Sequence, residues 1–539
     1  MTIDIEKYKN MSPFEVKNEL IDAAKKSFEK RKHKEKEAAI FNAGRGNPNF
    51  LNTTVRNAFS LLCIFAAEEA DTLSQIKDLG SRPTKDGLFE KFMHFIQLQD
   101  KSNDEVILLK NSIEFAIDKF KFDKDTFIFE MSDAALGDFY PMPSRIFPCI
   151  EKIVIEYLAK VLTTNKKLPK GNYDLFATEG ATAAMIYIFN SLKVNHIVEP
   201  GDSIGILTPI FSPYIEIPIL HDFQLLEILV EGKEELKWQI PDSEIEKLKN
   251  PKIKAIYLVN PTNPTAITLD DNTIEKITNL IKNERKDLIV LTDTVYATFV
   301  ENFHSLIQEI PENVLCVYSY SKYFGVTGWR LGVIMLHENN IIDKLIQNLS
   351  EKQKENLHER YKTICPNPKT LKFIDRLEID SREPALAHTG GLSCPQQTLM
   401  CLFSIFELLD TQNHYKESIH YLLKKRIKNL YYSMDEPVPE KEGNTYYYTL
   451  IDLINIAYKK YGSSFAKYLS EQEPLEYLFR LAEEKLTICL PGEGFAGPKW
   501  SIRISLANLN LEDYKSIGKN IIDLLSEYYE NWKKKHNNS

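Results

Sequence analysis

The densest run of chemistry-bearing residues is Ser319-Tyr-Ser-Lys322-Tyr-Phe-Gly325-Val-Thr-Gly328-Trp-Arg330-Leu-Gly332. It follows Val314–Tyr318, an apolar run of the kind that forms a buried strand. Lysine seldom ends such a strand unless its amine is used. An amine placed there is suited to a Schiff base with a carbonyl compound. Arg330, eight residues on, and Ser319 could both reach a phosphate. A surface turn with incidental charges is the competing reading, and the combined string speaks against it.

Three more clusters end apolar runs. Thr178-Glu-Gly180-Ala181-Thr182 opens a helical segment, and small residues at a helix N-terminus leave backbone N–H groups free for phosphate. Alone it is weak, because small residues at strand–helix junctions are commonplace. Asn260-Pro-Thr-Asn263-Pro264-Thr265 carries two Asn-Pro steps that force a rigid extended turn, from which Asn263 could donate to a ring oxygen. Simple turn chemistry is the alternative. Asp293-Thr-Val-Tyr296 ends DLIVLTD. A carboxylate buried there could pair with a pyridinium nitrogen and make the ring an electron sink, while Tyr296 could reach the ring oxygen. A helix cap is the other reading of Asp293. Near the C-terminus, Arg503 sits inside the apolar run Trp500-Ser-Ile-Arg503-Ile-Ser. A buried arginine needs an anion, either a substrate carboxylate held bidentately or a structural ion pair.

These residues need a scaffold, and the pattern supplies one. Runs at Tyr173–Phe176, Ser203–Leu207, Gln224–Leu229, Ile253–Val259, Asp287–Leu291, Val314–Tyr318 and Trp329–Met335 are Ile/Val/Leu-rich without clean alternation, as expected of strands covered on both faces. Helical stretches such as Asp270–Lys286 separate them, which predicts an α/β domain around a mostly parallel seven-stranded sheet. Residues 54–130 read as helical, with turn signals at Gly80–Gly87, and the mixed-sign run Lys25–Glu37 reads as a solvated helix face. From about 370 onward, helices at Pro395–Leu409, Glu417–Tyr432 and Leu511–Lys535 flank strands at Thr445–Asp452, Leu486–Leu490 and Trp500–Leu506. The expected division is 1–135 as an N-terminal arm and helical region, 136–370 as the large domain, and 371–539 as the C-terminal part of a smaller α+β domain.

The chain has 539 residues and a net charge of -9, which disfavours nucleic acid and anionic membrane as partners. Seven scattered cysteines without a CxxC pair argue against a disulfide framework and a metal site, and fit reduced thiols in a cytoplasmic protein. Neither a signal-peptide pattern nor an 18-residue apolar run is present in the sequence.

Strand ends bearing TEGAT, NPTNPT, DTVY and SYSKYFGVTGWR, with SIRIS beyond them, resemble the class I/II aminotransferases of pyridoxal-phosphate (PLP) fold type I over roughly residues 40–510. The resemblance implies that Lys322 carries PLP and Asp293 pairs with its ring nitrogen. It implies Asn263 and Tyr296 at the ring oxygen, and Ser319, Arg330 and the amides of Gly180, Ala181 and Thr182 at the phosphate. It further implies Phe211 (in TPIFSPY) stacked on the ring, Arg503 on the substrate α-carboxylate, and Tyr140 reaching a neighbouring protomer's phosphate. Two positions depart from the pattern: NPTG reads NPTA at Ala266, and Phe211 stands where many relatives carry Trp or Tyr. The string FNAGRGNPNFLNTT, with Arg45 before Gly46, resembles the aspartate 4-decarboxylase family. That likeness implies β-decarboxylation of L-aspartate to alanine, transamination with 2-oxo acids as a second activity, substrate contacts from Arg45 and Gly46, and a homodimer built into a larger homo-oligomer. An interface role for Arg45 is equally open. A plain aminotransferase is the main rival. About forty residues before NAGRGNPN are too few for the DNA-binding module of a PLP-domain regulator. A catalytically dead scaffold would have no reason to keep Lys322, Asp293, Asn263 and Arg503 together.

Overall fold

The computed structural model describes residues 5–9, 11–31, 39–71, 76–77, 79–229, 238–382, 386–440 and 442–537. The Lys25–Glu37 run lies in helix as far as Arg31, and its remainder falls outside the described residues.

Helix α1 (Pro13–Arg31) leads to a two-residue strand, β1 (Phe41–Asn42), and then to four helices: α2 (Thr53–Asp71), α3 (Leu88–Leu98), α4 (Asp104–Phe120) and α5 (Lys124–Leu136). Helix α1 packs on the late helix Pro474–Lys485, whereas α2, α4 and α5 pack on the helix Cys394–Leu409. The N-terminal region therefore serves two different parts of the molecule. After α6 (Pro148–Leu162) come the seven strands of the main sheet: β2 (Tyr173–Thr178), β3 (Ser203–Thr208), β4 (Gln224–Leu229), β5 (Ile253–Val259), β6 (Ile289–Asp293), β7 (Val314–Ser319) and β8 (Gly332–His337). Their order is β2-β8-β7-β6-β5-β3-β4, parallel throughout except for β8, which runs against both neighbours. Every residue of β6, β7 and β8 is buried, so these runs are apolar rather than alternating.

The register brings the functional strand ends together. Thr178 and Ser319 both pair with Gly332, and Asp293 lies between Val259 and Val317. The C-terminal ends of β2, β5, β6 and β7 thus form one edge, where ligands of open α/β sheets bind. Helix Asp271–Asn283 illustrates the local logic: Asp270 accepts from Thr273 N at 2.8 Å, and Ile274, Ile277 and Ile281 turn one apolar face to the sheet. It ends before the expected Lys286, because Arg285 turns inward to donate to the carbonyls of Leu248, Asn250 and Ile253 at 2.7 Å each.

The smaller sheet is antiparallel, in the order β11 (Leu490–Pro491), β12 (Ser501–Ser505), β9 (Tyr448–Asp452). The expected strand Leu486–Leu490 is in fact divided. Its first part, β10 (Thr487–Ile488), pairs in parallel with β1, and after Cys489 the chain crosses to pair with β12. Among its described residues the segment 340–390 carries three α-helices, Ile341–Gln347, Glu351–Tyr361 and Phe373–Ser381, with a short 3-10 turn at Pro368–Thr370. Buried Asp380 ties the last of them to α7 (Ala181–Val194) and its C-cap, accepting from Ser191 Oγ at 2.6 Å and Asn195 Nδ2 at 3.1 Å. Among the described residues all seven cysteines are free, and no cluster of three or more His, Cys, Asp or Glu could hold a metal. No helix of the described residues is long and apolar enough to cross a membrane.

Candidate active site

A cavity of about 300 Å³ opens at the sheet edge, beneath β9 and β12. Lys322 enters it from the turn after β7, its Nζ donating to Gly46 O at 3.0 Å. Asp293, at the end of β6, is buried. Its Oδ2 accepts from Tyr214 OH at 2.6 Å and its Oδ1 from Val295 N at 2.9 Å. Burial raises its carboxyl from 3.8 to about 6, although both hydrogen bonds and the Lys322 charge pull the other way. A carboxylate held at that cost is one that gains from a cation placed against it.

Gly180 caps α7 at φ 88, in the region glycine enters without strain, and a Cβ there would meet Arg330 Nη2 at 2.5 Å. Arg330 donates to Thr327 O and Glu179 O, each at 2.9 Å, and so lies across the start of α7 with Ala181 and Thr182 beside it. Ser319 Oγ donates to Leu331 O at 3.2 Å on the same edge. This corner gathers a guanidinium, a hydroxyl and helix N-terminal amides, the donor set of a phosphate site.

Across the cavity, Arg503 is 1% exposed. It donates to Asn263 Oδ1 at 3.3 Å and Gly44 O at 2.9 Å, and its Nε has no partner among the described residues. No carboxylate of the described residues lies within 4 Å of it; instead its charge is sandwiched between the rings of Tyr448 (4.4 Å) and Phe495 (5.0 Å). Desolvation lowers its pKa, so the site is short of an anion. Tyr296 donates to Tyr448 OH at 3.1 Å, and burial raises its phenol well above the ordinary value. Phe211 forms an edge contact with Tyr214 at 5.2 Å and with Phe14 at 5.6 Å. Ala266 stands at φ 62, where glycine would be unstrained.

Lys322, Asp293, Tyr296, Asn263, Phe211, Ser319, Ala181, Thr182, Arg330, Gly46 and Arg503 thus line one cavity, with Gly180 directly behind Arg330. Two residues singled out in the sequence do not line it. Arg45 is exposed beside Gly44 and Gly46, and Tyr140 is 64% exposed. Four lining or adjoining residues escaped the sequence reading. Tyr214 lies three positions after Phe211 and holds Asp293; Tyr448, in the run Tyr446-Tyr447-Tyr448, touches both Tyr296 and Arg503. Phe14 lines the cavity from α1, and Lys17 stands 5.4 Å over its ring. Burial, then the charges of Arg45 and Arg503, lower the Lys17 ammonium. The tyrosine run was a visible signal, whereas nothing in α1 marked it as facing the site.

The residues fit PLP: an amine for its aldehyde, a phosphate corner, a buried carboxylate short of a cation, and a buried guanidinium short of a carboxylate.

The family model "Aminotransferase class I and II" matches residues 142–358. A Pseudomonas protein, the bifunctional aspartate aminotransferase and L-aspartate beta-decarboxylase, is 40% identical over 536 residues, covering 99% of each chain. An aspartate aminotransferase of Sulfurisphaera tokodaii is 31% identical over 182 residues, 33% of this chain and 43% of its own. Among solved structures, the Mycobacterium tuberculosis N-succinyldiaminopimelate aminotransferase aligns with a TM-score of 0.55 at 14% identity over 99% of both chains. The Thermotoga maritima aspartate aminotransferase gives 0.53 at 16% over 95% of this chain and 97% of its own. These last two likenesses speak to the fold.

Proposed function

Because this chain belongs to the family of the bifunctional aspartate aminotransferase and L-aspartate beta-decarboxylase, within the class I and II aminotransferases, we infer that its central cavity holds PLP and converts L-aspartate to L-alanine and carbon dioxide, with aspartate transamination to a 2-oxo acid as a second activity. Bound through its aldehyde, PLP supplies a sink for electrons released at the substrate's Cα and, later, from the bond to the departing carboxylate.

The chain's own residues do the rest. Lys322 Nζ would hold the cofactor, and with substrate bound its free amine would take the Cα proton as general base. Gly46 O, 3.0 Å away, steadies that amine. Asp293 would pair with the ring nitrogen, and a protonated nitrogen beside it would offset the burial that raises its carboxyl to about 6, so that the pair would be ionised at neutral pH. Asn263 would donate to the ring oxygen, as would Tyr296 once its hydroxyl turns from Tyr448 OH, and Phe211 would cover the ring. Ser319, Arg330 and the amides of Ala181 and Thr182 would hold the phosphate, the Gly180 amide already donating to Thr178 O at 2.7 Å. Arg503 takes the α-carboxylate bidentately.

One observation carries the choice of reaction. Arg330 and Arg503 are the arginines lining the cavity among the described residues, and both have assigned anions. Among the described residues no third arginine lines the cavity for the β-carboxylate; Arg45 is exposed, and Lys17 stands only half-buried at the margin. A tight salt bridge there would stabilise the ground state and oppose its loss; a loose hold by exposed Arg45 does not. The test is to supply L-aspartate to holoenzyme and measure alanine, carbon dioxide and oxaloacetate. Alanine and carbon dioxide in equal amounts, exceeding oxaloacetate, support the reading; oxaloacetate alone reduces the enzyme to a plain aminotransferase.

The same reading places the cofactor on a large lobe, 136–370, against a smaller one from the terminal parts, in a cytoplasmic homodimer that builds a larger assembly. Exposed Tyr140 is then the residue that reaches the neighbouring protomer's phosphate.

A further inference from the structure

Exchanging a carboxylate for hydrogen needs one proton that aspartate does not bring. When the bond from Cβ to the carboxylate breaks, its electron pair stays with the substrate and carbon dioxide departs. A new Cβ–H bond then has to form with that pair. The proton that Lys322 takes from Cα must be given back before alanine leaves, so it does not meet this need. The reaction requires a second acid in the cavity, within reach of the carbon next to Cα.

Hydrogen bonding narrows the choice. Tyr214, Tyr296 and Tyr448 are the phenols that line the cavity among the described residues. Tyr214 gives its proton to Asp293 Oδ2 at 2.6 Å, and Tyr296 gives its proton to Tyr448 OH at 3.1 Å. Tyr448 is 2% exposed, and its own proton has no acceptor among the described residues. Its place in the fold is fixed by register. Tyr448 pairs with Ser505, so it and Arg503 are diagonal neighbours on one face of the small sheet. The Arg503 guanidinium lies 4.4 Å over the Tyr448 ring. On the other side, Tyr448 OH and Lys322 Nζ flank one point, the place where a Cβ on Gly46 would stand, at 2.8 and 3.3 Å. Glycine keeps that space open. A substrate with its α-carboxylate on Arg503 and its Cα towards Lys322 therefore has the Tyr448 hydroxyl beside it.

We propose that Tyr448 is the general acid that protonates the substrate's Cβ after carbon dioxide leaves. The proposal rests on the decarboxylation reading above. The Tyr448 O–H bond breaks, its proton forms the new Cβ–H bond of alanine, and the electron pair of the O–H bond stays on the phenolate. The Arg503 charge over the ring offsets that negative charge. The phenolate regains a proton from solvent as product departs, so one proton is consumed for each carbon dioxide released. Transamination to oxaloacetate leaves Cβ untouched and needs no such donor.

The test compares wild-type holoenzyme with Tyr448→Phe, which keeps the ring and removes the proton. Alanine and carbon dioxide from the wild type establish decarboxylation on their own, so failure of that reading is seen before the variant is assayed. Tyr448→Phe should form alanine about a hundredfold more slowly. Its oxaloacetate formation should stay close to the wild-type rate. A titration of apo-protein with PLP, read by visible absorbance, should show unchanged cofactor affinity and so an intact site. Alanine formation at the wild-type rate overturns the proposal, because the proton then comes from Lys322 or water. Equal losses of alanine and oxaloacetate, with or without weakened PLP binding, also overturn it, because Tyr448 then only shapes the cavity.

Discussion

Asp293→Asn should make the cofactor-free protein more stable while destroying its activity. The carboxyl is buried, with its pKa raised from 3.8 to about 6. Below about pH 4 it is protonated in both folded and unfolded chains and costs nothing. As pH rises, the unfolded carboxyl ionises first, so stability is lost through the interval up to the folded value of about 6. Two pH intervals at ~1.36 kcal/mol each give a penalty of about 3 kcal/mol at pH 8. Asparagine keeps the shape and still accepts from Val295 N, but never ionises. For a chain of this size the difference amounts to a melting midpoint about 3 °C higher. Thermal unfolding of apo wild type and variant between pH 4 and 8 should show coincident midpoints at the acid end and a gap in favour of Asn opening towards pH 6. Adding PLP should reverse the order, because only the carboxylate pairs with a ring cation. A variant less stable than wild type at pH 8 without cofactor, or a gap that does not change with pH, would refute the argument.

Other perturbations read different parts of the site. Arg503→Lys replaces a fork with a point charge and should raise the KM for L-aspartate about a hundredfold, with PLP affinity nearly unchanged; steady-state kinetics beside a cofactor titration separates the two. Gly46→Ala places a Cβ 2.8 Å from Tyr448 OH and 3.3 Å from Lys322 Nζ, so the amine must shift. The expected loss in kcat/KM is about tenfold or more, and wild-type kinetics would show that the contact relaxes freely. Arg45→Ala removes an exposed, loosely held cation and should change the alanine-to-oxaloacetate ratio about fivefold, whereas an unchanged ratio assigns Arg45 to the surface alone.

The sheet was readable from the sequence because strands covered on both faces must be apolar without a break. Val314–Ser319 is buried at every position and ends at the polar residues the site uses. Where other forces intervened, the pattern misled. Leu486–Leu490 looks like one strand, yet Thr487–Ile488 and Leu490–Pro491 serve different partners, and pairing choice leaves no mark on hydropathy. The Asp270–Lys286 helix is shortened by Arg285, whose three carbonyl partners come from distant turns. In the site, the residues at strand ends carried local signals. Tyr214, Phe14 and Lys17 did not, because what makes them matter is the neighbour each acquires only when the chain is folded. Tyr140 is the converse case: its motif carries a signal, but the residue does not line its own chain's cavity.

The chemistry of the site depends most on one amine. Holoenzyme reduced with borohydride and digested should yield a single pyridoxyl-modified peptide, with the modification on Lys322 and absent from Lys322→Ala. A label on another lysine, or no label after PLP loading, would contradict it.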